Sequence, residues 1–263
     1  MDLQIQDKVF MVAASSKGLG FGIARELARN GATVCIASRT KADVEKAAEK
    51  LRSETDANVY TSVADMANPD SIRNWVLDVA AAFERIDGLV ANAGGPPPGN
   101  FDDFDDQHWE AAFNLTLMSA VRLIRGVLPT MRVGSGGSIL TITSLSVKEP
   151  INGLLLSNVF RSGVTSLVKS LANELAHENI RVNNLVPGRI DTDRVKALDQ
   201  NISEKSGVAV HEIKQKFEAS IPLGRYGTIE EFGKAGAFLL SPAASYITGV
   251  SLAVDGGILK TVW

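Results

Sequence analysis

The run SSKGLGFG, residues 15–22, sets Gly18, Gly20 and Gly22 at alternate positions between an apolar stretch, VFMVAA, and an amphipathic one, FGIARELARN. Glycines at such a junction permit a tight turn whose backbone N–H groups face an anion at a helix N-terminus, and a dinucleotide pyrophosphate suits that turn. The spacing alone also fits a plain turn; its place between strand and helix favours the anion site. Ser15, Ser16, Lys17 and Leu19 complete the loop, and Lys17 brings a cation to it. Arg39 stands 19 residues beyond Gly20, directly after Ser38 at the end of CIAS. An acid there would hydrogen-bond a ribose 2′-OH, whereas the planar fork of an arginine suits a 2′-phosphate. The reading is therefore NADP(H) over NAD(H), with a solvated surface arginine as the bland alternative.

These residues need a frame that brings strand ends together. Short apolar runs at Val9–Ala14, Thr33–Ala37, Val59–Val63, Gly88–Ala91, Ser138–Ile142, Arg181–Val186 and Ser251–Val254 read as strands. Helical periodicity marks Gly20–Asn30, Lys41–Thr55, Asp70–Arg85, Gln107–Arg132, Asn158–Glu178 and Ile229–Leu240. Strand and helix alternate from end to end, and the strands are continuously apolar, as strands covered on both faces are. The expectation is one α/β domain: a Rossmann-like, doubly wound parallel sheet of about seven strands with helices on both faces. Two segments break the rhythm. GGPPPGN at 94–100 is a stiff loop, and residues 189–222 form a long polar excursion that reads as a lid or as surface decoration.

With these residues in place, the chain resembles the short-chain dehydrogenase/reductase family along nearly its whole length. The family's nucleotide loop, T-G-x-x-x-G-x-G, falls on residues 13–20, with Ala13 and Ala14 replacing Thr and Gly. The resemblance implies that Asp65 contacts adenine and that Asn92, Ala93 and Gly94 are the end of an N-N-A-G motif. It makes Asn114 an active-site asparagine and Ser144 the substrate-holding serine. It also sets Pro187, Gly188, Ile190 and Thr192 against the nicotinamide carboxamide. ITGVSLAVDGG is similar to the family's last strand.

One part of the family pattern is missing. The family's proton-donating Tyr follows the serine by thirteen residues, with a Lys four later; here those positions hold Ser157 and Arg161. A serine hydroxyl is far less acidic than a phenol, and an arginine stays protonated and joins no proton relay. Loss of a general acid costs about 10²–10⁴ in rate. Tyr226, beside the polar excursion, and Lys148, just past Ser144, are the residual candidates for a proton carrier. KEP at 148–150, Ser157-Asn158 and Thr192-Asp193-Arg194 are locally similar to tyrosine-lacking short-chain reductases of the bacilysin-pathway type. Such a site favours conjugate reduction of an enone over reduction of a simple carbonyl. The alternative is a catalytically weak NADPH-binding sensor or assembly protein.

The 263 residues carry 45% apolar and 22% charged side chains with a net charge of -3, so no basic field points to nucleic acid or anionic lipid. The single cysteine, Cys35, excludes an internal disulfide and reads as a small buried hydrophobe. His108, His177 and His211 lack metal-ligand spacing, so no metal site is proposed. No secretory leader and no uninterrupted apolar stretch of membrane length is visible, and a cytoplasmic location is expected. Apolar residues around much of the two long central helices, with Val262 and Trp263 at the end, predict a homotetramer, a dimer being second.

Overall fold

The computed structural model describes residues 2–134 and 136–262. Seven parallel strands form one sheet: β1 (Val9–Val12), β2 (Thr33–Ser38), β3 (Val59–Val63), β4 (Gly88–Ala91), β5 (Gly137–Ile142), β6 (Ile180–Pro187) and β7 (Ser251–Val254), in the order β3-β2-β1-β4-β5-β6-β7. All pairings are parallel. The order reverses between β1 and β4, which opens a crevice at the carboxyl ends of those strands. Successive residues of a strand point to opposite faces. Met11, Cys35, Leu89, Ile139 and Val182 therefore bury one face, while Phe10, Val12, Val34, Ile36 and Leu140 bury the other. Burial pushes the Cys35 thiol up to about 12, so it stays a neutral apolar filler.

The first face packs against α3 (Pro69–Phe83), α5 (Ser119–Val133) and α6 (Leu155–Leu175); the second packs against α1 (Gly18–Arg29), α2 (Lys41–Glu54) and α9 (Ile229–Leu240). At the crossing of α1 and α9 a side chain on Gly22 would stand 2.4 Å from the Ile229 carbonyl, and one on Gly233 would stand 2.3 Å from that of Gly22. Only glycine at both positions lets these helices approach so closely.

One expectation is corrected. The single helix expected over Gln107–Arg132 is α4 (Asp106–Ala112), a π-helical segment at Phe113–Met118, and α5. Its composition is apolar enough for a membrane span, but Leu123, Ile124 and Val127 are buried under the sheet, which makes it a core element. The polar excursion at 189–222 holds two further helices, α7 (Asp193–Ser206) and α8 (Val210–Ser220). They were hidden because each buries almost nothing, α7 only Asp199 and α8 only Ile213, so no apolar stripe marks them. Val262 is exposed, and Trp263 lies outside the described residues.

Candidate functional site

The crevice between β1 and β4 is the floor of a cleft of about 950 Å³. Its first wall is the glycine loop. The chain leaves β1 through Ala14 in the left-handed region, at φ 47°, and enters α1 at Gly18, at φ 63°. Lys17 gives α1 no side-chain cap and its first turn holds no acid, so the leading N–H groups keep their affinity for an anion. A Cβ on Gly20 would sit 2.8 Å from the Ala14 carbonyl oxygen and 3.1 Å from Asn92 Nδ2. That space belongs to Asn92, whose amide donates to the carbonyls of Ala13 and Ala14, at 3.3 Å each, and ties the end of β4 to the loop. Ser15 is fully buried; its hydroxyl donates to Val12 O at 2.6 Å and accepts from Ala37 N at 3.3 Å. Ser15 and Gly20 thus shape the loop from behind, whereas Ser16, Lys17, Gly18 and Leu19 line the cleft.

The next part of the wall comes from β2 and β3. Ser38 is buried, with its hydroxyl donating to Thr40 O at 3.0 Å, and Arg39 beside it is exposed and lines the cleft. Asp65 accepts from Ala67 N at 2.9 Å, and its own backbone N donates to Ser71 Oγ at 2.9 Å. Lys17, the cation that the sequence brings to the glycine loop, is paired within the protein. Its Nζ pairs with Asp193 at 3.1 Å and joins the glycine loop to the start of α7. Ala93 and Gly94 just after β4, Pro187 at the end of β6, and Gly188, Ile190 and Thr192 beyond it complete this end. An uncapped helix start, a loop without side chains at Gly18 and Gly20, and an exposed cation at Arg39 fit a phosphorylated dinucleotide.

The other end gathers Ser144, Ser157 and Arg161. Ser144 caps a short helical turn, accepting from Ser146 N at 3.2 Å. Ser157 and Arg161 lie one turn apart on α6, with Arg161 Nε donating to Ser157 Oγ at 3.2 Å. Arg161 Nη1 donates to the carbonyls of Ile142 and Thr143, at 2.9 and 3.2 Å, which fixes the guanidinium at the end of β5. Burial first, and then the like charge of Arg194, pull Arg161 down to about 10. Asn114, expected here, is not part of the lining. It sits in the π-helical segment, where its amide donates to Glu110 O at 3.0 Å and its carbonyl accepts from Arg122 Nη2 at 2.9 Å. Those two bonds hold the side chain along the helix.

A family model described as enoyl-(acyl carrier protein) reductase matches residues 13–259 of this chain. The chain is a short-chain dehydrogenase/reductase. Rabbit dehydrogenase/reductase SDR family member 4 is 34% identical over 254 residues, covering 96% of this chain and 94% of the relative. The crystal structure of L-sorbose reductase from Gluconobacter frateurii, complexed with NADPH and L-sorbose, superposes with a TM-score of 0.95 at 32% identity, covering 100% of both chains. That of YwfH, an NADPH-dependent reductase involved in bacilysin biosynthesis, superposes with a TM-score of 0.93 at 28% identity, covering 98% of this chain and 100% of the other.

Within this short-chain dehydrogenase/reductase, no tyrosine lines the cleft among the described residues. Tyr226 is corrected from candidate acid to structural tie. Its hydroxyl donates to Asp199 Oδ2 at 2.9 Å and accepts from Arg189 Nη1 at 3.3 Å, and burial pushes it up to about 12. Lys148 ends the short turn after Ser144 and is likewise not part of the lining. Sequence reasoning missed Arg189, Leu198 and Phe217. Arg189 pairs with Asp199 and stacks on the Phe217 ring, binding α7 and α8 to the end of β6. The signal was present in the aromatic at 217 and the acid at 199. It became readable only once the excursion was known to be helical.

Proposed function

We propose that this protein is an NADPH-dependent reductase of a small or medium carbonyl or conjugated enone, working in the cytoplasm with Ser157 and Arg161 where its family carries Tyr and Lys. The observation that carries the reading is a single cleft joining the uncapped start of α1 to Ser144, Ser157 and Arg161. When bound, the dinucleotide supplies a hydride. The chain's residues must then hold the charge that develops on the substrate. The exposed Arg39 receives the 2′-phosphate, and the first N–H groups of α1 receive the pyrophosphate. Thr192, Ile190 and Gly188 orient the carboxamide from the end of β6.

At the substrate, the hydroxyls of Ser144 and Ser157 and the guanidinium of Arg161 are hydrogen-bond donors. Reduction of a simple ketone leaves an alkoxide that needs a proton at once. Hydride addition to the β-carbon of an enone leaves charge on a delocalised enolate oxygen, which fixed donors hold while water protonates carbon. The donor set therefore favours enone over carbonyl reduction. A panel of matched ketones and enones, followed by NADPH absorbance, tests this. The double change Ser157→Tyr with Arg161→Lys should raise the ketone-to-enone rate ratio at least about tenfold, because it restores a general acid. Ordinary ketone turnover by wild type with no enone turnover would overturn the preference. The lack of a tyrosine in the lining also supports a second reading, an NADPH-binding sensor or assembly protein. Tight NADPH binding with no turnover across the panel would select it.

A further inference from the structure

Six arginine and lysine side chains line the cleft: Lys17, Arg39, Arg161, Arg189, Arg194 and Lys196. Three have carboxylate partners on the protein: Lys17 has Asp193, Arg189 has Asp199 and Lys196 has Asp191. Among the described residues Arg39, Arg161 and Arg194 have none. Arg39 stands at the end of β2, where the dinucleotide's 2′-phosphate accounts for it. Arg161 stands beside Ser157 at the end of β5, and Arg194 is tied to Pro96 in the loop after β4.

This second pair is placed by neutral groups. Arg161 spends Nε and Nη1 on Ser157 and two backbone carbonyls, which leaves Nη2 without a protein acceptor among the described residues. Arg194 Nη2 donates to Pro96 O at 3.1 Å, anchoring it to the proline-rich loop after β4. That loop is in turn bridged to the chain before α6, with Gly99 N donating to Gly153 O at 2.7 Å. The charge acting on Arg161 is Arg194, of the same sign. Both guanidinium groups line the same cleft, and neither has a carboxylate within 4.0 Å among the described residues, which leaves a position for a planar oxyanion. Leu145, Leu154, Leu198 and Phe217 give the same end of the cleft apolar walls. A ligand with an apolar body and one carboxylate meets both features.

We propose that Arg161 and Arg194 receive the carboxylate of the substrate, so that the reductase proposed above acts on oxo acids and unsaturated oxo acids rather than on neutral ketones or enones. The proposal rests on that reading for the reaction but not for binding. The cofactor's pyrophosphate is a second oxyanion that could meet these arginines. The uncapped start of α1 already provides for it, which favours the substrate.

The probes are 4-oxo-4-phenylbut-2-enoate and its methyl ester, which differ in the carboxylate charge. Both are titrated calorimetrically onto NADPH-saturated protein and assayed for turnover. Wild type should favour the acid over the ester by about tenfold or more in Kd and KM, the scale of one charge-assisted hydrogen-bond pair. Arg194→Gln should bring that ratio toward one while the Kd for NADPH stays within about twofold, and Arg194→Lys should restore part of it. Circular dichroism melting confirms that each variant folds. Equal binding of acid and ester by wild type overturns the proposal, as does binding of neither. A tenfold weaker NADPH affinity in Arg194→Gln with the acid-to-ester ratio intact overturns it in favour of a pyrophosphate clamp. Acid binding without turnover of either probe supports the carboxylate receptor while counting against the reductase reading.

Discussion

Arg39 offers a direct test of cofactor choice. Arg39→Ala removes a cation that has no hydrogen bond or ion pair to the protein among the described residues, so the fold should not register the loss. A guanidinium–phosphate hydrogen bond contributes about 1.5–3 kcal/mol. Arg39 is exposed, which favours the lower part of that range because water and salt screen the pair. The variant should therefore bind NADPH roughly ten- to thirtyfold more weakly. NADH, lacking the phosphate, should change by less than about twofold. Fluorescence titration of both cofactors at about 50 and 500 mM salt gives the needed curves, since the Debye length shrinks severalfold across that interval. Wild type should lose part of its NADPH preference at high salt, and Arg39→Ala should show little preference to lose. Arg39→Asp should go further and favour NADH, because an acid accepts from the ribose 2′-OH and repels the phosphate. Equal affinity of wild type for the two cofactors would refute the reasoning, as would an equal loss for both in Arg39→Ala.

Gly20→Ala should cost about 1–3 kcal/mol of stability in denaturant unfolding, because its Cβ meets a backbone oxygen that cannot move aside, and should weaken NADPH binding at least about tenfold by displacing Asn92. Tyr226→Phe should leave the shape of the rate profile unchanged while lowering stability by about 1–2 kcal/mol, since Asp199 loses one donor but keeps Arg189. The kcat profile should be flat from about pH 6.5 to 9, because a cation is charged below its pKa and Arg161 titrates only at about 10; a limb near neutrality would show that another group carries the proton. Light scattering at micromolar concentration should give a tetramer mass, and a monomer mass would count against the apolar faces of α5 and α6 as interfaces.

The inner strands β1, β2 and β4 were legible because a strand buried on both faces needs a nearly unbroken apolar run, whereas the edge strands β3 and β7 are only partly buried. The glycine loop and Arg39 followed from the strand-to-helix junctions that hold them, whereas the other strand-end residues came only from the family resemblance. What the sequence concealed was side-chain direction and distant pairing. Asn114 has the expected letter, but the bonds to Glu110 and Arg122 turn its amide along the helix. Lys17 meets a partner 176 residues away, and no local pattern reports such a contact. The π-helical turn at 113–118 keeps apolar residues coming at near-helical spacing, so periodicity could not separate it from its flanks.

The contact between Gly22 and Gly233 has a consequence for how the protein is made. The helix proposed to receive the pyrophosphate at its first turn rests on α9, a segment that ends at Leu240. Its floor strand, β1, pairs with β4 across 78 residues, as at Phe10 and Gly88. A nascent chain that has exposed all of the glycine loop therefore still lacks the surface against which that loop is held. On that reading, cofactor capture should wait until most of the polypeptide has left the ribosome, and a chain broken before Ile229 should carry all the residues proposed to contact the nucleotide and yet retain no nucleotide.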